Sequence, residues 1–547
     1  MKSLLNGIRR WGTLWLLLIL ICTVLLGSCG KSNRSDTAEA TAGNNNETLN
    51  GYVRPSEDTY SIDEDSGNIR DGGSQTADNE TESGKAAQSQ DKKYRGTYFK
   101  DYGVNPFKDV MEQPLSTFSL DVDTASYSIA RKYINSGSLP PKDAIRVEEF
   151  INYFNRDYPV SSGDTFSIFT EMAPSAFNRG YHVLEVGIQG KEVSAANLKR
   201  TALTFVIDVS GSMGMDNRLT LVKKSLKILV DQMGKNDKIG IVVYGTNGRK
   251  LLEPASGDDK KRILGAIDKL EPEGSTNAAE GLILGYDMAY NSFMENGNNR
   301  IILCTDGVAN QGITKAEDIL KMVEDYKAKG ITLTTLGFGM DNFNDIFLET
   351  LADKGDGNYA YIDTLDEAGK VFIDQLAGTL EVIAKDAKAQ IEFDKNSIES
   401  YRLIGYENRA LEDKDFRNNS VDAGEIGAGH AVTALYEVKL KNSAQEYIGT
   451  VKLRYKNPDT DRITEISKNI KYSLIRDSFY NATPRFKFIT MVAQTAEILK
   501  GSPWASNTSL EDVYKVLKDE MGDMDLNKED SEFIDLIRTA VEIKGRD

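Results

Sequence analysis

Asp208, Ser210 and Ser212 stand at alternate positions directly after the apolar run Ala202-Leu-Thr-Phe-Val-Ile207. Such a run reads as a buried strand, and an extended turn leaving it can aim one carboxylate and two hydroxyls at a single centre. These donors suit a hard cation, Mg²⁺ first and Mn²⁺ or Ca²⁺ as alternatives, which takes roughly six oxygens, more than one loop supplies. Two later segments offer the remainder: Gly274-Ser-Thr276-Asn277, and Thr305-Asp306-Gly307 after Arg300-Ile-Ile-Leu303. The competing reading is that Asp and Ser after a strand cap the next helix or make a turn. Three ordered elements, each beside an apolar run or opening a helix, weigh against it. Thr305 and Ser275 read as supporting or turn residues.

To converge, the three segments need a common rim. Leu219, Val222, Leu226, Leu229, Val230 and Met233 recur at helical spacing after the first motif, and residues 239–243 then form a short apolar run. The alternation repeats through residues 263–270, the run 301–304, the stripe Ala316, Ile319, Leu320, Val323 and Tyr326, and the run 331–336 after the capping Gly330. This predicts an α/β fold, a doubly wound, mostly parallel sheet with ligand sites beyond the strands' carboxyl ends.

The ordered set resembles the metal-ion-dependent adhesion site of the von Willebrand factor type A (VWA) family. On that resemblance Asp208, Ser210, Ser212, Thr276 and Asp306 are the metal-site residues. It also implies that the Ser and Thr oxygens bind the ion directly while the Asp residues often act through water. The ion then keeps net positive character and an open position, which an acidic residue of a partner protein completes.

Catalysis finds little support in the residue types. The chain has two histidines, His182 in a predicted strand and His430 after Gly427-Ala-Gly429, both read as structural. It has no Gly-x-Ser-x-Gly elbow, Walker loop or dinucleotide fingerprint. The predicted protein is therefore not an enzyme.

Arg9 and Arg10 precede the apolar run Trp11 to Leu26, followed by Leu26-Gly-Ser-Cys29. The run is short of the roughly 20 residues of a spanning helix. The tetrapeptide resembles a lipobox, which implies a leader over residues 1–28, an acylated Cys29, and a lipid anchor to a membrane of the cell envelope on its extracytoplasmic side. Cys304, inside an apolar strand, reads as a buried core residue, so no disulfide framework is expected. Residues 29–95, rich in Asn, Ser, Thr, Gly, Asp and Glu, cannot bury enough apolar surface to fold and read as a disordered acidic tether, with a root-mean-square reach of about 45 Å. Loss of Lys2, Arg9 and Arg10 with the leader takes the formal charge from -17 to -20, a balance that argues against nucleic acid as a partner.

The flanks of the metal domain carry strand patterns at 166–170 and 182–188 before it, and at 389–393, 401–406, 432–440, 448–455 and 463–472 after it. Because consecutive strands usually share a sheet, the economical arrangement is a β-sandwich into which the α/β domain is inserted. The expected order is an N-terminal helical region (96–160), the first sandwich strands (161–198), the VWA domain (199–385), the remaining strands (386–475) and a C-terminal helical region (476–547). Residues 114–123, 146–154, 401–409 and 432–437 look like signature stretches of a bacterial VWA lipoprotein subfamily, although Val308-Ala309 departs from the Asp-Phe expected there. Asp523-Met-Asp-Leu-Asn527 fails as an EF-hand loop, having Lys528 for Gly and Ile534 for Glu. Asp353-Lys-Gly-Asp-Gly357 reads as a helix stop, and Arg402 and Arg409 as paired charges rather than an anion clamp. The expected function is a membrane-tethered, metal-dependent protein-binding module. Its alternatives are an envelope scaffold in which the metal stiffens the rim, or a metal hydrolase.

Overall fold

The computed structural model describes residues 98–546 apart from 121–122, 155, 157, 161–163, 195–196, 308–315, 376–380, 422, 443–444 and 523–525. The leader, Cys29, the tether, Val308-Ala309 and the start of the 523–527 loop lie outside the described residues. No described helix is long and apolar enough to cross a membrane.

The inserted domain is built on a six-stranded sheet in the order Tyr359–Tyr361, Ile331–Asn342, Asn298–Gly307, Thr201–Asp208, Lys238–Tyr244, Gly248–Ser256. The first five are mutually parallel and the last pairs antiparallel at the edge. Thr201–Asp208 lies inside the sheet with all eight residues buried, which is why its sequence is apolar on both faces. Phe205 and Ile207 pack under Val222 and Leu226 of helix Arg218–Gln232, and Val206 and Leu303 under Leu282 and Phe347 on the opposite face. The sheet is doubly wound as expected. Gly248–Ser256 has no counterpart in the sequence expectations; it carries Pro254, which an edge strand tolerates.

The strands before and after the insertion form one antiparallel sandwich. One sheet runs Lys108–Asp109, Ile398–Ile404, Ala431–Leu440, His182–Gly190, Phe166–Pro174, and the other Ala410–Leu411, Leu115–Ser119, Val382–Phe393, Tyr447–Lys456, Ile463–Lys471. Val186 pairs with Ala434 across the whole insertion. Leu184, Ile188, Ile391 and Val451 share the core between the sheets. Two features differ from expectation. The region read as N-terminal helices also supplies Lys108–Asp109 and Leu115–Ser119 to the sandwich. The two helical regions form one layer: Tyr127, Phe150 and Phe154 share a core with Phe488 and Phe533 of helices Pro484–Lys500 and Lys528–Lys544.

Three flank arginines close on carboxylates of the inserted domain. Arg131 reaches Asp363 and Glu367 at 2.5 and 2.6 Å, Arg146 reaches Asp345 at 2.5 Å and also pairs with Glu149, and Arg409 reaches Glu349 at 3.3 Å and Asp353 at 3.1 Å, besides Asp123 at 2.7 Å. Arg409 is thus a paired charge, as read from sequence, and Asp353–Gly357 ends helix Asp345–Lys354. Truncating one partner of a buried pair leaves the other charge uncompensated. We expect Arg146→Met to lower unfolding free energy by about 3–5 kcal/mol, measured by urea denaturation; a change below about 1 kcal/mol would mean that the clamp contributes little.

Candidate metal centre

The strand Thr201–Asp208 delivers Asp208 to the rim of the sheet, with its side chain fully buried. The chain then turns: Ser210 N–H donates to Asp208 Oδ1 at 2.8 Å, so the carboxylate organises its own loop. The Ser210 and Ser212 hydroxyls lie 3.0 Å apart, and Ser212 Oγ donates to Asp306 Oδ1 at 3.0 Å. Four of the five expected site residues are therefore linked in one hydrogen-bonded chain spanning two strand ends.

The fifth, Thr276, is partly buried in a loop stitched to the same rim. Gly211 N–H donates to Gly274 O at 3.1 Å and Asn277 N–H to Gly245 O at 2.9 Å. Gly274 has φ +65°, and a Cβ there would meet Thr246 Oγ1 at 2.0 Å, so only glycine lets this loop approach so closely. Asn277 then caps helix Ala278–Asn291, accepting from Glu280 N–H. Thr305, read as a supporting residue, donates Oγ1 to Asp208 Oδ2 at 2.9 Å and is fully buried. Ser275 donates its N–H to Thr246 Oγ1 at 3.2 Å, a contact between two separate loops.

One residue escaped the sequence reading. Arg218, buried at the start of helix Arg218–Gln232, places Nη1 2.7 Å from Asp306 Oδ2. Gly339, at φ +97°, makes room for it: a Cβ there would meet Arg218 Nε at 2.4 Å. The sequence signal was only a basic residue at a helix start, where the macrodipole disfavours it. Burial pushes the Asp208 carboxyl up to about 7, and the nearby Asp306 charge pushes in the same direction.

A second group of acids, Asp123, Glu149 and Glu349, is also buried and close-set, but each pairs with Arg146 or Arg409 of the clamp. His182, also half-buried, sits in its strand with its pKa lowered by burial.

A doubly wound sheet whose rim gathers Asp208, Ser210, Ser212 and Asp306 beside a Thr-bearing loop defines a VWA domain, and a model of the von Willebrand factor type A domain matches residues 202–374. Models described as von Willebrand factor and as the C-terminal region of uncharacterized protein YfbK match residues 93–185, and 378–449 with 439–543. The uncharacterized protein YfbK of Escherichia coli (strain K12) is 40% identical over 467 residues, 81% of this chain and 80% of that protein. The chain belongs to the VWA domain family, and its likeness to YfbK extends through the flanks. Inter-alpha-trypsin inhibitor heavy chain H3 of Pongo abelii is 26% identical over 282 residues, 48% of this chain but 31% of that protein. Among solved structures, a von Willebrand factor type A protein from Catenulispora acidiphila aligns with TM-score 0.39 and 15% identity, over 69% of this chain and 91% of that one. The ArnB paralog VWA2 from Sulfolobus acidocaldarius aligns with TM-score 0.33 and 16% identity, over 70% and 98%.

The raised Asp208 pKa fixes the sign of a pH effect. Between its ordinary value of 3.8 and about 7 the folded chain holds a proton that the unfolded chain has released. In chelator, stability from this group therefore falls as pH rises through that window. Asp208→Asn removes the ionisation and keeps an acceptor for Ser210 N–H, while Thr305 can turn its hydroxyl proton to Gly307 O. The variant should match wild type near pH 4 and exceed it by on the order of 3 kcal/mol at pH 8, read by denaturant melts; a pH-independent difference would refute this account.

Proposed function

We propose that the chain is a membrane-tethered, extracytoplasmic VWA protein that binds a partner protein through a divalent cation at this rim. The observation that carries the reading is the convergence of two carboxylates and two hydroxyls from separate strand ends, with the Thr276 loop hydrogen-bonded against them. This is a donor set for a hard cation. Asp208, Ser210, Ser212, Thr276 and Asp306 would hold Mg²⁺, or Mn²⁺ or Ca²⁺, and the bound ion would supply an electrophilic position for a partner's Asp or Glu. Shape and charge around that point contact would provide specificity.

The test is calorimetric Mg²⁺ titration combined with capture from envelope extract, with and without chelator. Wild type should bind the ion, and Asp208→Ala and Thr276→Ala should each weaken it about tenfold or more. The double variant should lose less than the two singles together, because both loops act on one ion. Partner capture should vanish in chelator. Metal binding with a chelator-insensitive partner set would favour the envelope-scaffold alternative, and no metal binding would leave the rim as a capped turn.

The tether has its own test. Cys29→Ser should abolish partition into the detergent phase, whereas continued membrane association with an uncleaved leader would indicate a signal anchor.

A further inference from the structure

Arg218 is a cation already built into the rim. It opens helix Arg218–Gln232, yet its side chain is buried against the site instead of extending into solvent. Nη1 lies 2.7 Å from Asp306 Oδ2 and 3.4 Å from the carbonyl oxygen of Ser212. The same guanidinium nitrogen thus faces a carboxylate at one strand end and the backbone of the loop that carries the Ser212 hydroxyl. Nη2 reaches the largely exposed Asp216 at 3.4 Å. Gly339, with φ +97° and no side chain, leaves the slot in which the guanidinium lies. The slot is shaped for this side chain.

Position and charge give Arg218 two opposite effects. A guanidinium stays protonated across the whole working pH range, so this cation is permanent. With both carboxylates ionised, Asp208 and Asp306 bring two negative charges to the rim, and Arg218 leaves one of them uncompensated. A divalent ion arriving there meets a guanidinium that already holds Asp306 and repels the newcomer, so its affinity falls. Once the ion is bound the balance reverses: the rim carries one net positive charge, where the same rim without Arg218 would be neutral. A carboxylate is drawn to the first and hardly to the second.

We infer that Arg218 is a positioning residue that lowers the rim's affinity for the divalent ion and raises the loaded rim's affinity for an acidic partner. The inference rests on the metal-dependent reading of the site. Opposite signs are its signature, because loss of a residue that merely braced the rim would loosen the ligands and weaken both.

The test compares wild type, Arg218→Gln and Arg218→Lys in the full chain. Gln keeps an N–H for Asp306 and removes the charge, whereas Lys keeps the charge; Arg218→Met serves as the neutral variant if the Gln chain does not fold. In calorimetric Mg²⁺ titration Arg218→Gln should bind about tenfold tighter than wild type, and Arg218→Lys should stay within about threefold of it. The second probe is acetate, followed through broadening of its methyl proton resonance by the Mn²⁺-loaded chain. Arg218→Gln should weaken the saturable acetate response about threefold or more, while acetamide, the neutral control, should not distinguish the variants. In chelator Arg218→Gln should melt below wild type, and it should gain more from saturating Mg²⁺. Unchanged or weaker Mg²⁺ binding in Arg218→Gln, acetate binding that does not weaken there, or a Lys variant that behaves like Gln would each overturn the inference and leave the metal site standing. A wild type that binds neither Mg²⁺ nor Mn²⁺ would overturn the metal-dependent reading itself, so the two failures are distinct.

Discussion

A carboxylate that leaves water must find a cation, a proton or several donors. The inserted domain buries Asp345, Glu349 and Glu367 on the side it turns to the flanks. The flanks answer with Arg146, Arg409 and Arg131. Burial raises Asp345, Glu149 and Glu367 even against those guanidinium charges, so desolvation dominates and the contact specifies more than it stabilises. A one-residue slip of the domain against the flanks would leave several buried charges unmatched at once. The pairing therefore fixes a single docking geometry, where an apolar interface of similar size would tolerate sliding.

The same rule governs the rim. Asp208 and Asp306 approach each other through the Ser210 and Ser212 hydroxyls, and only Asp306 has a guanidinium against it. Asp208 instead relies on Ser210 N–H, the Thr305 hydroxyl and a raised pKa. Under the proposed reading, a divalent ion and Arg218 draw on the same Asp306 carboxylate. Arg218 then lowers the cost of keeping the rim assembled without the ion and also lowers the ion's affinity, because part of the attraction is already spent.

The rim was legible because chemistry and periodicity coincide there. Asp208-Val-Ser-Gly-Ser212 follows an apolar strand, and two further oxygen-bearing segments stand in order beside later apolar runs, which a lone capped turn would not require. The sandwich was legible for the same kind of reason, as in the alternation of residues 432–440. Other features escaped because their signals are non-local. Helix Ala278–Asn291 carries Gly281 and Gly285, poor helix formers, yet a Cβ at these positions would meet Tyr244 at 2.4 Å and Val206 at 2.3 Å, so they are glycine to let the helix lie close to the sheet. Leu115–Ser119 falls in a region read as helical, because its partner strand Val382–Phe393 lies far along the chain and only that pairing makes it a strand. Arg218 and Arg146 resemble surface charges because their carboxylate partners lie 88 and 199 residues away. Nothing local in the sequence distinguishes a buried pair from an exposed one.

The two charge systems are mechanically close. Thr305, which holds Asp208 at the rim, pairs with Gly337 on the next strand, and Gly337 pairs with Tyr361 on the edge strand. Two residues beyond Tyr361 lies Asp363, which Arg131 grips. A hydrogen-bonded path of two strand pairs thus separates the candidate metal site from the flank clamp, and backbone ladders of a packed sheet deform little. The insertion is also covalently joined to the sandwich on both sides, through His182–Gly190 before it and Val382–Phe393 after it. Three arginine clamps oppose pivoting of the domain on the flanks. Under the proposed reading, force applied to a partner bound at the rim would pass through the sheet and these clamps into the flanks.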